Sequence, residues 1–277
     1  MSPPAADFPA ATMTSSPLVL EHVTKRFGGL VAVENVTVAV EPGKITGLIG
    51  PNGAGKTTIF SVISGHLAPT AGRVVALGHD ITGWSPHAVC RLGLCVTHQI
   101  VRPFPDLSVL ENVMVGAGFG GGARVAAGGA RREAMAVLDF TGLAARAGQP
   151  ASALTLAQRK RLEIARALAT RPSVLLLDEV LAGLTPSEVA QALTLVREIC
   201  ARGITIVMIE HVMHAVMNLS HRVLVLNYGR LIADGTPAEV TANREVIEAY
   251  LGTASDDMVA GESAGRRSDG AEETPHD

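Results

Sequence analysis

The sequence predicts an α/β chain: a parallel sheet with helices on both faces, an antiparallel β portion ahead of it, and a helical insertion within it. Three observations predict this. Apolar runs of strand length at residues 44–49, 174–177 and 204–209 are separated by stretches of helical periodicity. Residues 18–24 and 32–40 instead show β-branched enrichment and partial alternation, as antiparallel strands do. Finally, a glycine-rich loop stands between the first buried strand and a helix.

Taken in order, residues 1–16 are rich in Ala, Pro, Ser and Thr and are expected to be disordered. The two antiparallel strands follow, joined through Phe27-Gly28-Gly29, and Glu41-Pro42-Gly43 turns the chain into the first buried strand. Residues 72–78 read as another short strand, and residues 91–96 lead to Thr97-His98-Gln99. A helix is expected within 105–115, with Ser108 and Glu111 spaced as a capping box. Residues 116–129 hold many Gly and Ala. They include Gly116, Gly118 and Gly121 in the spacing of a dinucleotide fingerprint, with Asp139 further on. No adequate strand precedes that run and it does not open directly into a helix, so a flexible loop is expected. Helices are expected at 131–143 and 158–169, the latter stopped by Pro172. The strand at 174–177 ends in Asp178-Glu179, and a helix at 186–202 is closed by Gly203. The strand at 204–209 ends in Glu210-His211. A hairpin turns at Asn227-Tyr228-Gly229, a last helix spans 239–251, and an acidic tail covers 253–277.

The loop Gly50-Pro51-Asn52-Gly53-Ala54-Gly55-Lys56-Thr57-Thr58 carries the first piece of chemistry. It matches a phosphate-binding P-loop in the strand–loop–helix setting that motif requires. The glycines let backbone N–H groups turn toward an anion, and the helix start adds its own free N–H groups. Lys56 would reach the β- and γ-phosphates and Thr57 would place its hydroxyl on Mg²⁺. Asp178 stands at the carboxyl end of its strand, where it can hold Mg²⁺ through water. Glu179, one residue further, can polarise an attacking water.

Composition narrows the classes. With 277 residues, 47% of them hydrophobic, the chain can bury one large core. The net charge is −3. Seven acids against Arg266 and Arg267 leave residues 253–277 at −5 and the rest at +2. No clustered basic face suggests nucleic acid. Three cysteines without metal-ligand spacing fit a reducing compartment. The first twenty residues show no secretory signal, and no run approaches the ~18 apolar residues of a spanning helix. Any membrane contact is expected to run through partners.

Gln99 after a strand, Leu154-Thr155-Leu156-Ala157-Gln158 before an Arg-rich helix, Asp178-Glu179, and His211 after the strand at 204–209 occur in the order and spacing of an ABC-type ATPase. The chain resembles that family over roughly residues 18–252. Within the family it is similar to the ATP-binding subunits of branched-chain amino acid importers. Arg26-Phe27-Gly28-Gly29-Leu30-Val31-Ala32-Val33, Arg161-Leu162-Glu163-Ile164-Ala165-Arg166, Ala182-Gly183-Leu184-Thr185-Pro186 and residues 229–237 carry this likeness.

The resemblance implies a RecA-like P-loop NTPase core over residues 17–252, with a helical insertion at about 100–165. It implies that ATP and Mg²⁺ bind between two such subunits, identical or different, arranged head to tail. Phe27 would stack on adenine. Gln99 would touch Mg²⁺ or the attacking water and report on the membrane partner. Thr155, Ala157 and Gln158 would contact the γ-phosphate held by the opposite subunit, Glu179 would be the catalytic base, and His211 the switch residue. Permease subunits would be direct partners and a solute-binding protein an indirect one, at the cytoplasmic face of the plasma membrane. The sequence departs from the family pattern at Leu156 and Ala157, where relatives carry glycines, and at Thr185, where many carry Asp. Positions that require φ > 0 would make Leu and Ala costly. Other readings stay open: the ATPase of a lipid or lipopolysaccharide exporter, a soluble ABC ATPase, or a regulatory module that does not hydrolyse. No Asn-Lys-x-Asp motif supports a GTPase.

Overall fold

The computed structural model describes residues 16–97, 103–119 and 127–250. Along the chain come β1 (Leu18–Phe27), β2 (Leu30–Val40), β3 (Ile45–Ile49), α1 (Lys56–Ile63), β4 (Ala71–Ala76), β5 (His79–Asp80), α2 (Pro86–Leu92) and β6 (Leu94–Val96). Three helices follow: α3 (Val109–Phe119), α4 (Ala127–Phe140) and α5 (Leu156–Leu168). The chain then returns through β7 (Val174–Asp178), α6 (Pro186–Ala201), β8 (Thr205–Ile209), α7 (Met213–Leu219), β9 (Arg222–Asn227), β10 (Arg230–Gly235) and α8 (Pro237–Ala242).

Two sheets form. One is antiparallel, in the order β2-β1-β4-β5; the other has six strands in the order β10-β9-β3-β8-β7-β6. In the second, β9, β3, β8, β7 and β6 run parallel and β10 pairs antiparallel at the edge. Every residue of β3, β7 and β8 is buried, which explains their unbroken apolar runs. The last residues of β2 alternate instead, with Val36, Val38 and Val40 inward and Thr37 and Ala39 outward.

The six-stranded sheet carries apolar cores on both faces, with a further cluster of Ile49, Val216, Val223, Val225 and Val240 where α7 and α8 meet β3 and β9. On β7, Val174 and Leu176 join the core shared with the antiparallel sheet and α1, through Val36, Ile59 and Phe60. Leu175 and Leu177 point to the opposite face and pack with Val113, Leu138, Leu162 and Val196 from the helices. This sandwich of helices and antiparallel strands around a mostly parallel sheet is a P-loop NTPase architecture, and it sets the carboxyl ends of β3, β7 and β8 side by side.

Three expectations need correction. The glycine-rich stretch is not wholly a loop: α3 runs through Gly116 and Gly118 to Phe119, and α4 begins at Ala127. A Cβ on Gly116 would lie 2.4 Å from the Arg166 carbonyl oxygen, so glycine here serves the close approach of α3 to α5. The last helix is broken. Asn243 leaves the helical conformation, and its Oδ1 accepts from the N–H groups of Glu245 and Val246, capping a new segment over 244–250. Two short helices, α2 and α7, were not anticipated. The expected capping box is present: the Ser108 N–H donates to Glu111 Oε2 at 2.8 Å, and the Glu111 N–H to Ser108 Oγ at 3.2 Å. The expected leader and tail, and Gln99, lie outside the described residues.

Candidate active site

The loop between β3 and α1 is shaped by close backbone approach. Gly50 has φ +148°, and a Cβ there would meet the Leu226 carbonyl oxygen at 2.1 Å; Gly55, at φ +102°, would meet that of Ala32 at 2.4 Å. Gly55 is the N-cap of α1 and no side chain caps it, so the first helical N–H groups are left for a ligand. The Ala54 carbonyl accepts from the Gly229 N–H at 3.0 Å, which ties the loop to the β9–β10 turn. Asn52, Gly53 and Thr57 are exposed, Thr58 is half-buried, and Pro51 and Ala54 are buried.

Lys56 is buried, and its Nζ donates to the carbonyls of Gly50 at 2.7 Å and Pro51 at 2.9 Å. Burial pulls its pKa below the ordinary lysine value, and the charges of Glu179 and Asp178 oppose that shift. The P-loop ammonium and the acids at the end of β7 therefore share one electrostatic neighbourhood.

Asp178 ends β7, buried, and its N–H donates to Thr97 Oγ1 at 3.3 Å. Glu179 then adopts φ +49°, a left-handed conformation uncommon outside glycine. Its N–H donates to the Ile209 carbonyl at 2.9 Å, so β8 fixes the start of the loop. Glu179 Oε1 lies 2.5 Å from His211 Nε2. The carboxyl ends of two adjacent parallel strands thus bring together two residues that the sequence singled out separately.

The segment Thr155–Gln158 forms the start of α5. Thr155 is the N-cap, its Oγ1 accepting from the Gln158 N–H at 3.4 Å while its own N–H donates to Gln158 Oε1 at 3.1 Å. Leu156 and Ala157 occupy the first helical turn and neither has positive φ. The departure from glycine therefore carries no backbone strain, and the N–H groups there survive the substitution. The side-chain hydrogen bonds of Thr155 and Gln158 run to each other and not to the P-loop of the same chain. Thr185 has a parallel role as N-cap of α6, with Glu188 completing a capping box. Phe27 is 45% exposed at the end of β1, with Lys25 Nζ 5.2 Å from its ring centre.

Sequence reasoning missed Lys160 and Glu210. Lys160 Nζ donates to the Glu179 carbonyl at 2.7 Å, and Glu210 Oε1 accepts from the Leu181 N–H at 2.8 Å. Burial pushes the Glu210 carboxyl up to about 7, with the Leu181 N–H and the Lys160 charge pulling the other way. A signal for Lys160 existed: at helical spacing it shares a face with the buried Ile164 and Ala167.

The donor set fits a magnesium nucleoside triphosphate. Uncapped N–H groups and a buried ammonium suit the phosphates, and the Thr57 hydroxyl and Asp178 carboxylate suit Mg²⁺, a hard cation that keeps phosphate and water ligands. Among the described residues no group of three or more His, Cys, Asp or Glu could hold a metal, and such a site does not need one.

Comparison with known proteins is consistent with this geometry. A family model described as "ABC transporter" matches residues 33–182, and one described as "Branched-chain amino acid ATP-binding cassette transporter" matches residues 230–256. The high-affinity branched-chain amino acid transport ATP-binding protein LivG of Escherichia coli is 39% identical over 254 residues, covering 87% of this chain and 100% of that protein. A crystal structure of the ADP conformation of an ATP-binding cassette of an ABC transporter superposes with TM-score 0.78 at 32% identity, covering 86% of this chain and 100% of that one. A dimeric post-hydrolysis cassette bound to ADP and Pi superposes with TM-score 0.71 at 25% identity, covering 79% and 98%.

Proposed function

The chain belongs to the ABC transporter ATP-binding family, and on that premise we propose that it is one ATPase subunit of an importer for branched-chain or chemically related amino acids. The observation that carries the cargo class is the likeness to LivG along that protein's whole length, supported by the separate match of residues 230–256 to the branched-chain subgroup.

ATP with Mg²⁺ is the substrate, and it supplies the phosphoryl group whose transfer to water drives the cycle. The loop of residues 50–58, through the backbone N–H groups of all but Pro51, and the Lys56 ammonium bind the phosphates, and Phe27 stacks on the base. Thr57 and Asp178 hold the magnesium, joined by Gln99 by virtue of its place in the motif order. Glu179 Oε accepts the proton of the attacking water, and His211, within hydrogen-bond reach of that carboxylate, positions it and contacts the γ-phosphate. The start of α5 turns its hydrogen bonds inward within the chain. By their place in the motif order, Thr155, Ala157 and Gln158 serve a second subunit, to which the first-turn N–H groups not used by the capping box are offered for the γ-phosphate. ATP binding closes the pair and hydrolysis reopens it.

No helix among the described residues is long and apolar enough to cross a membrane. Coupling to transport therefore runs through permease subunits at the cytoplasmic face of the membrane. A solute-binding protein acts upstream of them, and nucleic acid has no part. The test is to isolate the chain from gently solubilised native membranes and identify what accompanies it. Two permeases, a second ATPase and a binding protein that takes leucine, isoleucine or valine are expected. Lipid-handling or export partners would keep the ATPase and discard the cargo.

A further inference from the structure

The base loop is anchored by residues that lie outside every motif used above. Lys160 is 6% exposed and stands in the second turn of α5, the helix that begins at Thr155. Lysine is seldom buried unless its charge is paired. Here the pairing is specific: Nζ donates to the Glu179 carbonyl at 2.7 Å, with the Glu210 and Glu179 carboxylates as its charged neighbours. Glu210 in turn holds the Leu181 N–H, and the Ile209 carbonyl holds the Glu179 N–H. Residues 179–181 are thus fixed at three points, by one helix and the end of β8. Glu179 sits at φ +49°, a conformation that persists only where its surroundings enforce it. Releasing the carbonyl would let this backbone relax and swing the carboxylate away from His211.

We propose that Lys160 is a positioning residue for Glu179, linking the start of α5 to the base of the same subunit. Thr155, Ala157 and Gln158 meet the phosphate bound by the opposite subunit. Any shift of α5 on that contact moves Lys160 and with it the Glu179 backbone. One site's nucleotide thereby sets the aim of the other site's base. The inference rests on the ATPase reading above, with Glu179 as base and two subunits facing each other.

The test is steady-state ATP hydrolysis by the complex purified with its membrane partners. It compares Lys160→Met, Lys160→Arg, Lys160→Met combined with Glu210→Gln, and Glu179→Gln as reference. Lys160→Met is expected to lower kcat roughly 10–100-fold, the scale of a misplaced reacting group, with the KM for ATP within about twofold of wild type. Lys160→Arg, which keeps a charged donor, regains most of kcat. The double variant stays low, because it balances the charge without restoring the donor. Unchanged kcat in Lys160→Met overturns the proposal. So does recovery in the double variant, which would make Lys160 only a counter-charge for Glu210. If Lys160→Met does not fold, the charge-balanced double variant is read directly against wild type: a low kcat supports the proposal and a wild-type kcat overturns it. Wild-type turnover in Glu179→Gln would overturn the base assignment and this inference together. Loss in Glu179→Gln beside an unaffected Lys160→Met would overturn this inference alone.

Discussion

Glu179 Oε1 and His211 Nε2 stand 2.5 Å apart across the ends of the paired strands β7 and β8. The register puts Asp178 opposite Ile209, so Glu179 follows one strand end directly and His211 lies two residues beyond the other, within side-chain reach. A base needs a fixed carboxylate and a partner that holds its orientation, and the parallel pairing supplies both.

Replacing Glu179 by Gln keeps the side-chain shape and its reach to His211 but removes the proton acceptor. ATP binding is expected to persist while hydrolysis falls roughly 10²–10⁴-fold, about 3–5 kcal/mol of transition-state stabilisation. Equilibrium nucleotide binding and single-turnover hydrolysis on the same preparation check both halves. Turnover near the wild-type rate would remove Glu179 from the mechanism.

The parts of this site that were legible in sequence are those encoded within a few consecutive residues. The P-loop is written as strand, glycines and Lys56. Asp178-Glu179 and His211 each follow an apolar run, and the run itself says where the strand ends. Lys160 and Glu210 were illegible because their roles exist only after α5, β7 and β8 meet. In the sequence Lys160 stands between Arg159 and Arg161, and only its helical alignment with Ile164 and Ala167 hints that it, unlike them, is buried. The break at Asn243 was missed for a related reason: the apolar pattern continues across it, while the Asn side chain caps a new start.

Glu210 should leave a mark on stability against pH. Its folded-state carboxyl is raised from 4.5 to about 7, chiefly by burial, so the folded chain holds a proton that the unfolded chain has released. Stability from this group is therefore full below about pH 4.5, falls as pH rises toward about 7, and stays low above that. The loss is at most about 3 kcal/mol. The facing charges are Lys160 and Glu179, and the Leu181 and His211 backbone groups hydrogen-bond the carboxyl. Glu210→Gln should flatten this part of the profile, which urea unfolding at several pH values between about 5 and 7 would measure. An unchanged slope would mean that Glu210 is not the group responsible.

Leu156 and Ala157 prompt a different expectation. Both lie in the helical first turn of α5, so glycines there would gain no conformational relief and would cost up to about 1 kcal/mol each in helix propensity. Leu156 also lies against Gly183, where a Cβ would come within 3.0 Å of its Cδ2. The double change to glycine should lower stability by about 1–2 kcal/mol and leave ATP turnover within about twofold of the wild type. A severalfold gain in turnover would mean that the two side chains obstruct the phosphate contact.

Gly116 tests how the helical part is held to the rest. It is a point of close approach between α3 and α5, because a Cβ would sit 2.4 Å from the Arg166 carbonyl oxygen and 3.1 Å from the Ala169 Cβ. The first of these is backbone and cannot move aside without displacing a whole helix. Alanine is ordinarily the better helix former by about 1 kcal/mol, so propensity alone predicts stabilisation. The steric term opposes it and is larger, about 1–3 kcal/mol for an overpacked contact, so Gly116→Ala should be destabilising on balance. The displaced helix is α5, which carries both Thr155 and Lys160, so the same change should lower kcat at temperatures where the protein remains fully folded. Thermal unfolding and turnover measured together separate the outcomes. A stabilised variant would place the close approach elsewhere. A destabilised variant with intact kcat would mean that α5 can shift without moving the base.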